Sequence, residues 1–179
     1  MICPPWLSPM LAHPLRRILQ NPEKILGGLV REGQTAADLG CGPGFFTIPM
    51  ARMVGESGRV IAADRQGRML DYVRRRAEKA GLGDRVRTHQ CREDSLGIDE
   101  SLDFALAMFM AHELPRIDRF MQEVEAIMKP EGDFLLAEPI MHVSAARFQE
   151  TVRAARDAGL KAVAEPRIGI SRAVLLRKG

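Results

Sequence analysis

The sequence predicts an α/β domain, a parallel sheet covered by helices, and three observations carry that prediction. Strand-like and helix-like segments alternate to the last residue, the pattern of strands joined by crossover helices. The 179 residues are 46% hydrophobic and 27% charged, the balance of a chain with one ordinary core rather than a disordered or fibrous one. No internal repeat, low-complexity tract or linker breaks the alternation, so residues 1–179 are expected to form a single domain, with 1–30 a helical N-terminal arm.

Seven short runs read as strands: 35–40, 59–64, 86–91, 102–109, 133–138, 161–166 and 172–176. Ahead of the first, 15–20 and 23–30 look like short helices separated at Asn21-Pro22, because the residue before proline is pushed out of helical geometry. Gly27-Gly28 weakens the second of them. After the first strand a helix is expected in which Pro49 delays or kinks the chain. In 67–80, Met69, Leu70, Val73 and Ala77 repeat at helical spacing while Arg68, Arg74, Arg75, Arg76 and Lys79 take the other face. A cleaner stripe, Ile117, Phe120, Met121, Val124, Ile127 and Met128, marks a helix over 115–129, with Pro115 in its first turn and Lys129-Pro130-Glu131-Gly132 as its stop. A last helix over 144–158 has Ser144 as N-cap and Gly159 beyond its end.

Charge and cysteine usage narrow the function. Twenty-six Lys plus Arg against 23 Asp plus Glu leave a formal charge of +3, with both signs interspersed, so nothing in the balance implies nucleic acid or an anionic membrane. The basic residues of 67–80, with Arg85 and Arg87, could face RNA, but exposed aromatic residues do not interleave them and a solvated face explains them as well. Cys3, Cys41 and Cys91 are odd in number and lack CxxC spacing, which predicts reduced thiols in a cytoplasm. Residues 1–15 are uncharged but carry four prolines and no basic segment, so no export signal is read. The longest strongly apolar run, 104–111, is far short of the roughly 20 residues of a membrane span. His13, His89 and His142 have no partners at ligand spacing, and no metal is expected.

The most informative segment is Asp38-Leu39-Gly40-Cys41-Gly42-Pro43-Gly44-Phe45, a strand running into a glycine-rich turn and then a helix. Glycines let the main chain approach a ligand where a Cβ would collide. Dinucleotide folds space them GxGxxG, and phosphate-binding loops end in GK[ST]. Here the spacing is GxGxG, an acidic residue precedes it and no lysine follows, so the loop suits something other than pyrophosphate.

That turn, with Asp64 ending the second strand, resembles motif I of the class I S-adenosylmethionine-dependent methyltransferases, of the type 11, UbiE-like kind. The resemblance covers nearly the whole chain, including the Lys-Pro-x-Gly turn at 129–132 and the seven-strand count. It implies a Rossmann-like, mostly parallel seven-stranded sheet with the last strand antiparallel and helices on both faces. It further implies that Gly40, Cys41 and Gly42 line the methionine and sulfonium end, that Asp38 organises the turn, and that Asp64 accepts both ribose hydroxyls, for which two carboxylate oxygens are suited. Gly44, Phe45, Arg65 and Met108 join this cofactor-binding set. At the adenine end the chain departs from the family: Leu96-Gly97 places Arg92 where many members have an aspartate, leaving Arg92, Glu93 and Asp94 as candidates.

Methyl transfer from a sulfonium is an in-line displacement in which alignment and water exclusion do much of the work; a base is needed only where the acceptor must lose a proton. His112 and Glu113, leaving the fourth strand beside the expected crevice, are the base candidates, and a packing or cofactor-holding His112 is the alternative. Glu138-Pro139 at the fifth strand's end could face the acceptor or make a turn. Trp6, Leu7, Met10 and Leu11 form an apolar patch that could fold over the site as a lid or simply cap the core. The expected activity is methyl transfer from S-adenosylmethionine to a small-molecule acceptor, releasing S-adenosylhomocysteine. The alternatives are an RNA or protein methyltransferase, or a non-catalytic S-adenosylmethionine-binding regulator, and a homodimer is compatible with any of them.

Overall fold

The structure, a computed structural model, describes residues 20–179; the apolar patch around Trp6, most of the helix expected over 15–20, Cys3 and His13 lie outside the described residues. Seven strands form one sheet: β1 (Thr35–Leu39), β2 (Arg59–Asp64), β3 (Val86–Gln90), β4 (Leu102–Met108), β5 (Met128–Pro139), β6 (Leu160–Ala164) and β7 (Ser171–Lys178). Their spatial order is β3-β2-β1-β4-β5-β7-β6. The pairs β1/β2, β2/β3, β1/β4 and β4/β5 are parallel, while β7 runs antiparallel to both β5 and β6. The expected mostly parallel sheet with a reversed last strand is therefore present.

Among the described residues five α-helices cover it: α1 (Pro22–Leu26), α2 (Thr47–Met53), α3 (Gly67–Lys79), α4 (Ile117–Ile127) and α5 (Ala145–Asp157). Side chains alternate across each strand, so neighbouring residues feed opposite layers. Ala36, Phe104, Leu106 and Leu135 pack with Leu26, Met50 and Ala51 of α1 and α2, whereas Ala37, Ala105, Ala107 and Leu136 pack with Phe120, Met121, Val124, Phe148 and Val152 of α4 and α5. Every residue of β1 is buried, as expected of a central parallel strand covered on both faces. The chain runs from β1 outward to β2 and β3, then crosses back to β4 on the other side of β1. That reversal opens a crevice at the carboxyl ends of β1 and β4.

Local chemistry explains where the elements differ from expectation. The helix expected over 23–30 stops at Leu26, because Gly27 turns extended and Gly28 is left-handed at φ +83°. Its start is as the sequence suggests: Asn21 accepts the Lys24 N–H at 3.1 Å, and Pro22 occupies the first turn, where its missing N–H has no helical partner. Pro49 sits in the first turn of α2 and is tolerated for the same reason. The stripe of 115–129 is helical only over Ile117–Ile127: residues Ala111–Glu113 form a separate 3-10 turn, and Met128 already pairs with Leu102 in the sheet. The Lys129-Pro130-Glu131-Gly132 segment is a bulge inside β5, where the register jumps from Leu102/Met128 to Phe104/Asp133 and Glu131 adopts φ +61°.

Candidate active site

The turn after β1 is held by the neighbouring strand. The N–H groups of Gly40 and Cys41 both donate to the Ala63 carbonyl, at 2.8 and 3.0 Å. Two of its glycines are demanded by different surroundings. Gly40, at φ +71°, would place a Cβ 2.8 Å from the Met110 side chain, whereas Gly42, at φ +50°, has nothing within 4 Å of that position and faces open space. Gly44 serves packing: a Cβ there would lie 3.1 Å from Val73 of α3, and Gly44 does not line the cavity described below, unlike the expectation. Asp38, buried at the end of β1, accepts the Thr47 hydroxyl at 2.6 Å and so ties the strand to the first residue of α2.

Asp64 ends β2 opposite this turn. One carboxylate oxygen accepts the Gly42 N–H at 2.9 Å and the other accepts the Gln66 N–H at 2.9 Å. Burial pushes its carboxyl above the ordinary range, opposed by these backbone donors and by Arg65. Each carboxylate oxygen has a second lone pair, so two further donors can be accepted side by side.

After β3, Arg65 pairs with Glu93 at 3.0 Å and Arg119 of α4 pairs with Asp94 at 3.2 Å. Glu123 of α4 accepts the Ser95 hydroxyl at 3.2 Å and the Leu96 N–H, and also holds Arg119 at 3.1 Å. Glu123 and Arg119 thus shape the wall near Arg92, Glu93 and Asp94. Sequence reasoning missed both, since they lie more than 20 residues away on a helix whose apolar stripe was its only visible signal.

The exit of β4 has a more specific geometry. Phe109 takes φ +63°, and its N–H still donates to Ala137 of β5 at 2.9 Å. The chain then turns so that one oxygen of Glu138 accepts the N–H groups of Ala111 and His112, at 2.8 and 3.3 Å, while the other meets His112 Nδ1. Glu138 is only 1% exposed. Burial raises its carboxyl, and the neighbouring His112 opposes that shift. Glu138 is the partner of His112 rather than a cavity wall, and Glu113 is exposed at the rim.

Together these elements enclose a cavity of about 550 Å³ at the β1/β4 crevice, within the usual range for a small-molecule site. Its lining includes Asp38, Gly40, Cys41, Gly42, Phe45, Asp64, Arg65, Arg92, Glu93, Asp94, Met108, His112 and Glu113. Met110, Met141 and Ile170, which sequence reasoning did not single out, complete the apolar side. Burial pushes the Cys41 thiol well up and that of Cys91 to about 11, so neither is a ready nucleophile. The basic residues that could have faced RNA are largely engaged elsewhere: Arg74 with Asp71, Arg76 with the Pro43 carbonyl, Arg85 with Glu56 and Arg87 with Glu100.

Comparison with known proteins gives a consistent answer. A methyltransferase-domain family model matches residues 36–132. The demethylmenaquinone methyltransferase of Lactobacillus johnsonii is 32% identical over 106 residues, 58% of this chain and 43% of that protein. The ubiquinone/menaquinone biosynthesis C-methyltransferase UbiE of Salmonella arizonae is 32% identical over 110 residues, 61% of this chain and 44% of that protein. The chain therefore matches less than half the length of these curated relatives. A crystal structure of an S-adenosylmethionine-dependent methyltransferase from Aquifex aeolicus superimposes with a TM-score of 0.89 at 27% identity, covering 99% of this chain and 100% of that one.

Proposed function

Because the chain belongs to the methyltransferase-domain family, as a class I S-adenosylmethionine-dependent member, we propose that it transfers a methyl group to a small-molecule acceptor held in the β1/β4 crevice. The observation that carries the reading is the Gly42/Asp64 pair: a main-chain cradle with open space where a Cβ would stand, beside a carboxylate that still has two acceptor positions. These features suit an adenosyl amino acid. Asp64 would receive the ribose hydroxyls, Gly40 to Gly42 would run along the methionine, and Arg92, Glu93 and Asp94 would border the adenine. When bound, S-adenosylmethionine supplies a methyl carbon on a sulfonium that departs as a neutral thioether. The protein's part is to align the acceptor and exclude water, for which well-oriented groups reach the equivalent of roughly 7 to 11 kcal/mol.

A cavity of about 550 Å³ supports a small acceptor over a polymer, and Met110, Met141 and Ile170 in its lining support an apolar one. Calorimetric titration with S-adenosylmethionine, S-adenosylhomocysteine and NAD tests the cofactor, with the two sulfur compounds expected to bind. Tritiated methyl transfer into a metabolite extract, compared with RNA and protein fractions, tests the acceptor class. Binding of NAD in their place would overturn the first assignment, and label confined to RNA or protein the second.

A further inference from the structure

We infer that His112 takes the acceptor's proton at Nε2, held for that task by Glu138, and that the acceptor is an apolar molecule whose reacting group is an acidic hydroxyl of the phenol or enol type. This rests on the cofactor reading above. The ring is fixed from behind: Nδ1 meets one Glu138 oxygen, and the other oxygen accepts the main-chain N–H groups of Ala111 and His112. An ionised carboxylate only accepts, so a neutral ring facing it carries its proton on Nδ1 and its lone pair on Nε2. His112 lines the cavity while Glu138 does not, and Nε2 has no hydrogen-bond partner among the described residues.

This arrangement is more than packing requires. A buried carboxylate is costly unless it is paired, and an amide would satisfy the two main-chain donors as well. What the charge adds is stabilisation of the imidazolium that forms when Nε2 receives a proton, the role a buried acid plays behind a catalytic histidine. Other groups near the ring are Glu113 on its own turn, exposed; His142 from the loop after β5, with ring centres 6.3 Å apart; and Arg147 of α5, whose guanidinium is occupied at 3.2 Å by the His112 carbonyl. Arg116 is paired with Asp118. Glu138 is the charge in direct contact with the ring.

The surroundings point to the acceptor. Of the five exposed large hydrophobic residues among those described, Met141 and Ile170, 80 and 49% exposed, line this cavity, and Ile140, 44% exposed, precedes Met141 in the chain. The Ile140 N–H donates to the Ile170 carbonyl at 3.1 Å, joining the loops after β5 and β6 into one apolar edge. A phenol is a weak acid, and proton transfer to an imidazole concerted with attack lets its oxygen react without prior ionisation. A neutral arylamine attacks without prior proton loss, and an arylthiol is already largely ionised at neutral pH. The acceptor O–H proton moves to Nε2, the oxygen pair forms the bond to the methyl carbon, and the carbon–sulfur pair leaves with sulfur. The products are a methyl ether, S-adenosylhomocysteine and an imidazolium that returns its proton to solvent.

Glu138→Gln tests this without stripping the main-chain donors, since the amide oxygen can keep them. Its NH2 group would donate to Nδ1, moving the ring proton to Nε2 and removing the lone pair from the cavity. Nitrogen NMR of the free protein should show His112 changing from the Nδ1–H to the Nε2–H tautomer, with S-adenosylmethionine affinity unchanged by calorimetry. With 4-butylphenol, 4-butylaniline and 4-butylthiophenol as probes, the phenol should be methylated, and the variant should lose roughly 10²- to 10⁴-fold in its kcat/KM while the thiol is little affected. An unchanged tautomer, an equal loss for all three probes, or no transfer to the phenol overturns the inference. Loss of S-adenosylmethionine binding in His112→Gln would overturn it too, by showing that the ring holds the cofactor. Failure of the native protein to bind S-adenosylmethionine would instead sink the cofactor reading, while the tautomer measurement still judges the pair.

Discussion

Asp64→Asn should weaken S-adenosylmethionine binding far more than it weakens the fold. In the free protein the carboxylate joins two turns, accepting Gly42 N–H and Gln66 N–H at 2.9 Å each. Asparagine keeps one oxygen, so one of those donors would face an amide NH2 and lose its acceptor, costing about 1 kcal/mol at this part-buried position. The larger loss is at the ribose. Two bonds to a charged acceptor, each about 1.5–3 kcal/mol, become at most one neutral bond of about 0.5–1.5 kcal/mol. The net, about 2–5 kcal/mol, corresponds to a dissociation constant roughly 30 to 4,000 times larger. Titration calorimetry at pH 7.5 reads the affinity and urea unfolding reads the stability. A dissociation constant within about threefold of native, under about 0.7 kcal/mol, would refute the placement of the sugar at Asp64.

Further outcomes follow from the same geometry. Gly40→Ala should be destabilising by about 1–3 kcal/mol in urea unfolding, because φ +71° strains an L residue and its Cβ would meet Met110 at 2.8 Å. Gly42→Ala meets no protein atom within 4 Å, so it should cost only about 1–2 kcal/mol of backbone strain yet abolish measurable cofactor binding by calorimetry; retained affinity would show that the open space is not the cofactor's. Burial lifts the Asp64 carboxyl above its ordinary value of 3.8, so once acid protonates it, binding must release that proton. Affinity should therefore rise with pH through that raised range and level off above it, and a flat profile from pH 4 to 7 would contradict the role. Glu138→Ala leaves the Ala111 and His112 main-chain donors without their buried acceptor, which should lower stability by about 2–4 kcal/mol, checked by urea unfolding.

What the sequence makes legible here is what short-range spacing encodes. Gly40, Gly42, Asp38 and Asp64 sit at strand ends whose apolar runs are plain, and all four line the cavity. Element ends were harder to read: Met128 carries the apolar stripe of α4, and only pairing with Leu102, 26 residues away, decides that it is strand. The bulge at Glu131 is equally invisible, because its composition is that of an ordinary helix stop. The His112/Glu138 contact spans 26 residues, and neither residue's neighbours announce the other. Glu123, which holds the Leu96 N–H, was hidden for the same reason. Contacts across the sheet follow from strand order, which a one-dimensional pattern constrains only loosely.

The reversed direction of β7 has an effect on how such a molecule can diversify. With Glu138 opposite Arg172 and Pro139 opposite Ser171, the hairpin over 165–170 is delivered to the same rim as the exit of β4. The strands on one side of the crevice carry the parts suited to an invariant nucleoside, and those on the other side end in a loop free to lengthen or change its side chains. New acceptors could be recruited by remodelling that hairpin alone, leaving the carboxylate and glycines of the opposite half as they are.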